Sequence, residues 1–295
     1  MGDRANLALY RSLGAVMERL PERADVVMAT RLARVVGRKG GPAKTNLTNN
    51  VRHALFEGPG PVNDELVGRF VDRGFAGYGQ YWAEGAKLPA LDPRVIAARF
   101  AIAEGLEHLI EARARGRGIV MAIPHVGSWE WGGSYLAQIG FPMTAIAEVL
   151  EPPELFEWFT RKRQAIGIRI QPLDEHAGTV MLSTLNEGGV VGLLCDRDLQ
   201  GNGVEVEFFG ETVTIPGGPA TLALRTGATL VAAACYTGPG RDHFAVITPP
   251  LDATREGRLR EDVKRITQEI AHELEGLIRR APEQWHVFQE RFATT

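Results

Sequence analysis

The stretch Ile119-Val120-Met121-Ala122-Ile123-Pro124-His125-Val126-Gly127-Ser128-Trp129-Glu130 decides the fold class of this 295-residue chain. Five apolar residues in a row, closed by a proline, read as a short strand buried on both faces. Met143–Ala147 and the runs 190–195 and 229–235 have the same character, and each is followed by a segment of helical length. That alternation predicts crossover units on a mostly parallel, twisted central sheet flanked by helices, an α/β fold. His243–Ile247 predicts one more strand, antiparallel to its neighbour.

On the N-terminal side of this alternation the pattern is helical. Leu9, Leu13, Val16, Met17 and Leu20 recur at helical spacing with Arg11, Glu18 and Arg19 between them, which predicts a basic amphipathic helix. Two readings fit it, a surface helix packed on the core and a helix lying on an anionic membrane. Residues 45–88 stay helical and aromatic, and a helix is expected over 97–115. Residues 260–280, with Val263, Ile266, Ile270, Leu274 and Leu277 on one face, predict a terminal helix. There is no repeat or long linker, so a single domain over 1–295 is expected, with an N-terminal helical layer over 1–90 on an α/β core over 91–295.

The composition excludes several classes. A net charge of −3 argues against a nucleic-acid binder. That average conceals residues 1–40, where eight basic side chains face four acidic ones, leaving the remainder at −7. The longest stretch without a charged residue or histidine, 131–147, is 17 residues long and broken by Gly132, Gly133, Gly140 and Pro142, too short to span a bilayer. No signal-peptide pattern is apparent, and Cys195 and Cys235 lie in apolar runs as core residues of a cytosolic protein.

In open α/β sheets, ligands bind beyond the carboxyl ends of the strands. That rule brings His125, Glu130, Glu148, Asp196, Arg197 and Asp198 to one rim. A histidine after a strand is either structural or a general base, and here Gly127 and Ser128 permit close approach while a carboxylate can orient the ring. Paired-histidine metal spacing and the Gly-x-Ser-x-Gly elbow are both missing, so no metal is expected and a serine nucleophile is disfavoured. Gly217-Gly218-Pro219-Ala220 reads as an anion-holding helix start or, more simply, a tight turn.

Pro124-His125-Val126-Gly127-Ser128-Trp129-Glu130 resembles the histidine, four residues, acid motif of glycerolipid-type acyltransferases. Its Gly-x-Trp-Glu ending resembles the bacterial lipid A biosynthesis acyltransferase family. Ala147-Glu148, Arg163-Gln164-Ala165-Ile166-Gly167, Asp196-Arg197-Asp198, Phe208-Phe209-Gly210-Glu211, Pro216-Gly217-Gly218-Pro219-Ala220 and Pro282-Glu283-Gln284-Trp285 follow in that family's order. The segment Cys195-Asp196-Arg197-Asp198-Leu199 and the following Gly203-Val204-Glu205-Val206 are most similar to the actinobacterial branch that works on phosphatidylinositol mannosides.

The resemblance implies an acyl-CoA co-substrate with no separate cofactor, and a mannosylated phosphoinositide or similar glycolipid as acceptor. It also implies a peripheral, monotopic position on the cytoplasmic face of the plasma membrane, with residues 1–90 facing the lipid. In this reading His125 is the base and either Glu130 or Asp196 its carboxylate partner. Backbone N–H groups near Gly127 and Ser128 face the oxyanion. Glu148 and Arg163 hold the acceptor head group, Arg163 with a fork suited to an inositol phosphate. Arg197 and Asp198 read equally as an internal ion pair or as substrate contacts. The rival expectations are a lauroyl or myristoyl transferase of the lipid A type acting on another glycolipid, a soluble or metal-dependent hydrolase, and a noncatalytic lipid-binding protein.

Overall fold

A computed structural model describes residues 19, 21–56 and 62–292 of the chain. The basic amphipathic helix expected from Leu9, Leu13, Val16, Met17 and Leu20 lies outside the described residues. Among the described residues from Pro21 onward the order opens with the helices α1 (Glu22–Arg38), α2 (Pro42–Leu55) and α3 (Asp64–Lys87). Leu47 and Val51 of α2 pack against Val67, Val71 and Phe75 of α3 in a small core of their own. Gly79 lets α1 and α3 cross closely, because a Cβ there would stand 2.5 Å from the Ala29 carbonyl oxygen.

The α/β portion follows as α4 (Pro93–Arg99), β1 (Phe100–Glu104), α5 (Leu106–Ala114), β2 (Ile119–Ile123), α6 (Trp129–Gln138), β3 (Met143–Ala147), α7 (Pro153–Ala165), β4 (Arg169–Pro172), α8 (Ala177–Asn186) and β5 (Val190–Leu194). A hairpin of β6 (Val204–Phe208) and β7 (Glu211–Ile215) comes next. The chain then forms α9 (Gly218–Thr226), β8 (Thr229–Thr237), β9 (His243–Ile247) and α10 (Leu259–Arg279).

Seven strands make one sheet in the order β1-β9-β8-β2-β5-β3-β4. All neighbours are parallel except β8 and β9. The sheet is mostly parallel, as the apolar runs predict, and β9 is antiparallel to β8 as expected. Every residue of β2 is buried. Ile119, Met121 and Ile123 face a core shared with Ile96, Leu109 and Leu136 of α4, α5 and α6. Val120 and Ala122 face the opposite core with Met181, Leu222 and Ile266 of α8, α9 and α10. The period-two alternation therefore feeds two apolar layers rather than one.

One expectation is corrected. The helix predicted over 97–115 is two helices with the edge strand β1 between them. Phe100 is buried while most of the strand's other residues stay partly or fully exposed, so it lacks the continuous apolar run that marks β2. Gly105 ends it with φ +87°, and a Cβ there would lie 2.1 Å from the Ile247 carbonyl oxygen; this close passage to β9 stops a continuous helix. The β6–β7 hairpin, also unpredicted, turns through Phe209 (φ +51°) and Gly210 (φ +76°), the two positive dihedrals of a tight primed turn.

Candidate active site

His125 leaves the end of β2 on a loop held from both sides. Its own N–H donates to Asp196 Oδ2 (2.9 Å), and its carbonyl accepts the His286 N–H (2.7 Å). Val126 bridges to Trp285 as in an antiparallel ladder. Gly127 has φ +56°, and a Cβ on it would meet the Cys235 carbonyl oxygen at 2.1 Å, so only glycine fits this close approach. Its N–H is already bonded to the Gln284 carbonyl (2.9 Å), which corrects the expectation that this group faces an oxyanion. Gln284 in turn clasps Thr237 at the end of β8 with both ends of its amide.

The imidazole, with 21% of its side-chain surface exposed, reaches Asp196 Oδ1 through Nδ1 at 2.5 Å. Asp196 is fully buried, and its Oδ2 also accepts the Trp285 indole N–H (2.7 Å). Burial alone would raise the Asp196 pKa, but the His125 charge, the bonds from His125 and the Trp285 bond overcome it and hold the carboxyl well below its usual range. A carboxylate that only accepts requires the proton on Nδ1, leaving Nε2 a lone pair. Arg197 Nη2 lies 3.3 Å from that nitrogen, consistent with a guanidinium donating to it.

The other sequence-predicted residues fall into two groups. Glu130, in the first turn of α6, does not take the imidazole. Its Oε1 accepts the Tyr81 hydroxyl (2.9 Å) and Arg163 Nη2 (3.2 Å), and its side chain is about nine-tenths buried. Of the two carboxylates the sequence leaves open as the ring's partner, the imidazole meets Asp196. Burial and the adjacent Glu130 carboxylate push the Tyr81 hydroxyl pKa well up, so it stays a donor.

Arg163 is tied inward, its guanidinium over the rings of Trp129 (4.9 Å) and Phe159 (5.7 Å) as well as on Glu130. Glu148 stands exposed just past β3. Asp198 braces the loop after β5: Oδ1 accepts the N–H groups of Gln200 and Gly201, and Oδ2 that of Gly203. The ion pair considered for Arg197 with Asp198 is replaced by these backbone bonds. Among the described residues no group of three or more His, Cys, Asp or Glu side chains is placed to hold a metal.

Beside the loop lies a narrow apolar cavity of about 20 Å³ between α6 and the sheet. Ile123 and Trp129, on either side of the His125 loop, line it together with Gly132, Gly133, Met143 and Cys235. A Cβ on Gly132 would stand 2.3 Å from the Cys235 sulfur, so the two positions share one space. Burial pushes the Cys235 thiol up to about 12, which keeps it a neutral wall atom.

The sequence reading left four residues near the site unassigned: Tyr81, Gln284, Trp285 and His286. Gln284 and Trp285 belong to a stretch it had singled out by resemblance, but that signal carries no role. Burial, then the neighbouring His125, lower the His286 pKa to about 3, so its ring is neutral beside the loop.

The family model of the bacterial lipid A biosynthesis acyltransferases matches residues 4–294. The phosphatidylinositol mannoside acyltransferase of Mycobacterium tuberculosis is 36% identical over 264 residues, 88% of this chain and 80% of that protein. The protein of the same name from Mycolicibacterium smegmatis is 34% identical over 263 residues, 88% and 82% of the two chains. A lipid A biosynthesis acyltransferase of Haemophilus influenzae is 27% identical over 184 residues, 61% and 55% of the two chains.

Proposed function

The chain belongs to the bacterial lipid A biosynthesis acyltransferase family, and from that premise we propose that it moves a long-chain acyl group from acyl-CoA to a mannose hydroxyl of a phosphatidylinositol mannoside, with His125 as general base. The observation that carries the reading is the buried Asp196 on Nδ1 of a partly exposed imidazole, next to an apolar cavity.

In the proposed step the acceptor hydroxyl takes the place of Arg197 at Nε2. Its oxygen attacks the thioester carbonyl as Nε2 removes its proton, and Asp196 stabilises the resulting imidazolium. A carbon–oxygen bond forms, the carbon–sulfur bond breaks, and the proton passes from the ring to the departing thiolate, releasing CoA as the thiol. No acyl-enzyme is required, because the thioester is already activated. With the Gly127 N–H engaged, the first N–H groups of α6 are the nearby backbone donors for the oxyanion. Arg163, held by Glu130, presents its remaining surface to a head group alongside Glu148. The apolar cavity receives the chain once flexible side chains such as Met143 move aside.

The lipid acceptor places the enzyme at a bilayer surface. No helix of the described residues is long and apolar enough to cross a membrane. On α1, Met28, Leu32, Val35 and Val36 form an exposed apolar stripe, and Arg31, Arg34, Arg38 and Lys39 lie on the same short helix and its end. That combination suits peripheral attachment to the anionic cytoplasmic leaflet.

The test is transfer by purified protein. His125→Ala with an unchanged thermal melt should lose acyl transfer to the mannolipid, read by mass spectrometry of the product. A folded variant with full activity would remove His125 from the mechanism. A wild-type protein that binds acyl chains without turnover would replace the enzyme reading by a carrier.

A further inference from the structure

Two guanidinium groups, one on the base and one against the β6–β7 hairpin beside it, carry buried N–H groups that no hydrogen bond within the described residues answers. Among the described residues, Arg197 Nε and Arg291 Nε and Nη2 are buried without a hydrogen-bond partner. Buried unanswered donors of this kind are uncommon, and charged ones are costly. The two side chains belong to one neighbourhood. Arg197 reaches Nε2 of His125, and the next residue, Asp198, accepts the N–H of Gly203, which precedes Val204, the residue paired with Ile215 next to Thr214. Arg291 Nη1 lies 3.4 Å from the Thr214 carbonyl oxygen.

The nearby carboxylates are already committed. Asp196 is occupied by His125 and Trp285, and Asp198 by three backbone N–H groups. Two positive forks, Arg197 on the base and Arg291 over Phe208 at the hairpin, therefore keep donors without a hydrogen bond, and Arg163, the fork expected to read a phosphate, is turned onto Glu130 and Trp129.

We propose that Arg197 and Arg291 together bind a phosphate ester carried by one of the two substrates, and that binding it draws Arg197 off His125 Nε2. This rests on the acyl-transfer reading above for the identity of the substrates. The chemistry is that of forked N–H donors on phosphate oxygens, which Lys supports with charge but without the fork. Two sources share it, the phosphodiester of the mannosylated phosphoinositide and the phosphates of CoA. The consequence for the reaction is ordering: until the phosphate is seated the base is covered, so proton removal waits for the correct substrate.

Arg291→Gln and Arg291→Lys test the pair, each checked by its thermal melt. Four substrates separate the sources: acyl-CoA, the phosphate-free N-acetylcysteamine thioester of the same chain, the phosphatidylinositol mannoside, and a mannosyl diacylglycerol without phosphate. The expected result is a rise of about 10- to 100-fold in KM for one phosphate-bearing substrate in Arg291→Gln, smaller in Arg291→Lys, and absent for its phosphate-free counterpart. The substrate that shows the rise identifies the source. Equal changes for all four substrates, or none, would overturn the pair. Calorimetric binding of CoA and of phosphatidylinositol vesicles separates this proposal from the transferase reading. A loss of one in Arg291→Gln supports the phosphate site even if no transfer is found, and unchanged binding of both overturns it whether or not transfer occurs.

Discussion

Asp196→Asn is the sharpest perturbation of the site, because all three groups that meet this carboxylate are N–H donors. Oδ2 accepts two of them, the His125 backbone N–H and the Trp285 indole, and Oδ1 accepts the third, from Nδ1. An asparagine has one acceptor oxygen to offer. If that oxygen stays with the two donors, the amide N–H₂ faces Nδ1 and the ring must move its proton to Nε2. The reverse orientation sets an N–H₂ against two buried donors, at about 1–3 kcal/mol for each one left unanswered. The first arrangement wins, and it removes the lone pair that takes the acceptor's proton. Loss of the correct tautomer and of the charge opposite the imidazolium should lower kcat by about 10³- to 10⁴-fold, roughly 4–5.5 kcal/mol of barrier. The assay is initial-rate transfer from acyl-CoA to mannolipid in mixed micelles, with ¹⁵N spectra of the ring reporting the tautomer. Glu130→Gln is the control. Its amide oxygen still accepts from Tyr81 and Arg163, so it should cost less than about tenfold. A folded Asp196→Asn enzyme keeping a tenth of wild-type turnover, or a Glu130→Gln enzyme that is slower, would refute the assignment.

Gly132→Ala should destabilise the protein by about 1–3 kcal/mol through overpacking against the Cys235 sulfur; paired with Cys235→Ala, urea melts should recover most of that loss, and strictly additive costs would show that the two positions do not share a cavity. Burial, then the charge of Arg99, lower the His243 pKa to about 4 from 6.5. The folded protein therefore keeps this ring neutral while the unfolded chain protonates it, so stability is highest above pH 6.5 and falls with acid, by about 2 kcal/mol at pH 5 from this group. His243→Phe, which retains the stack on Trp131, should lose that much less between pH 7 and pH 5, and an unchanged pH slope in denaturant melts would contradict the burial argument. Replacing Leu32 and Val36, 56% and 52% exposed on one stripe of α1, by glutamate should weaken partition onto anionic vesicles by at least about 100-fold; sedimentation with vesicles that matched wild type would move the membrane contact elsewhere.

What the chain reveals of its fold depends on how each element is buried. β2 shows itself because both faces are covered, and Val190–Leu194 and Met143–Ala147 do so for nearly the same reason. β1 conceals itself because it is an edge strand with one well-buried residue and an alanine-rich sequence between two helices, so helical spacing continues across it. The hairpin turn at Phe209 and Gly210 asks a phenylalanine to adopt positive φ, held there by packing on Trp285 and Phe292 that local sequence cannot announce. Arg291 sits on a terminal stretch without periodicity, and only its neighbours in space give it meaning.

The choice between Glu130 and Asp196 shows how sheet register becomes chemistry. Glu130 is five residues from His125, but the first turn of α6 delivers it to Tyr81 and Arg163. Asp196 is 71 residues away, yet β2 and β5 are parallel neighbours with Ile119 opposite Val190 and Ile123 opposite Leu194. That offset of 71 carries on past the strand ends and sets His125 beside Asp196. The same ladder continues there, since the Cys195 N–H donates to the Ile123 carbonyl and the His125 N–H donates to the Asp196 side chain. Strand pairing is absent from a single sequence, which is why the sequence leaves both acids open as the ring's partner. It also means that the dyad inherits the precision of the sheet rather than of a loop: a one-residue slip would exchange the two faces of β5 between the apolar layers they are shaped to fill and part the two side chains at once.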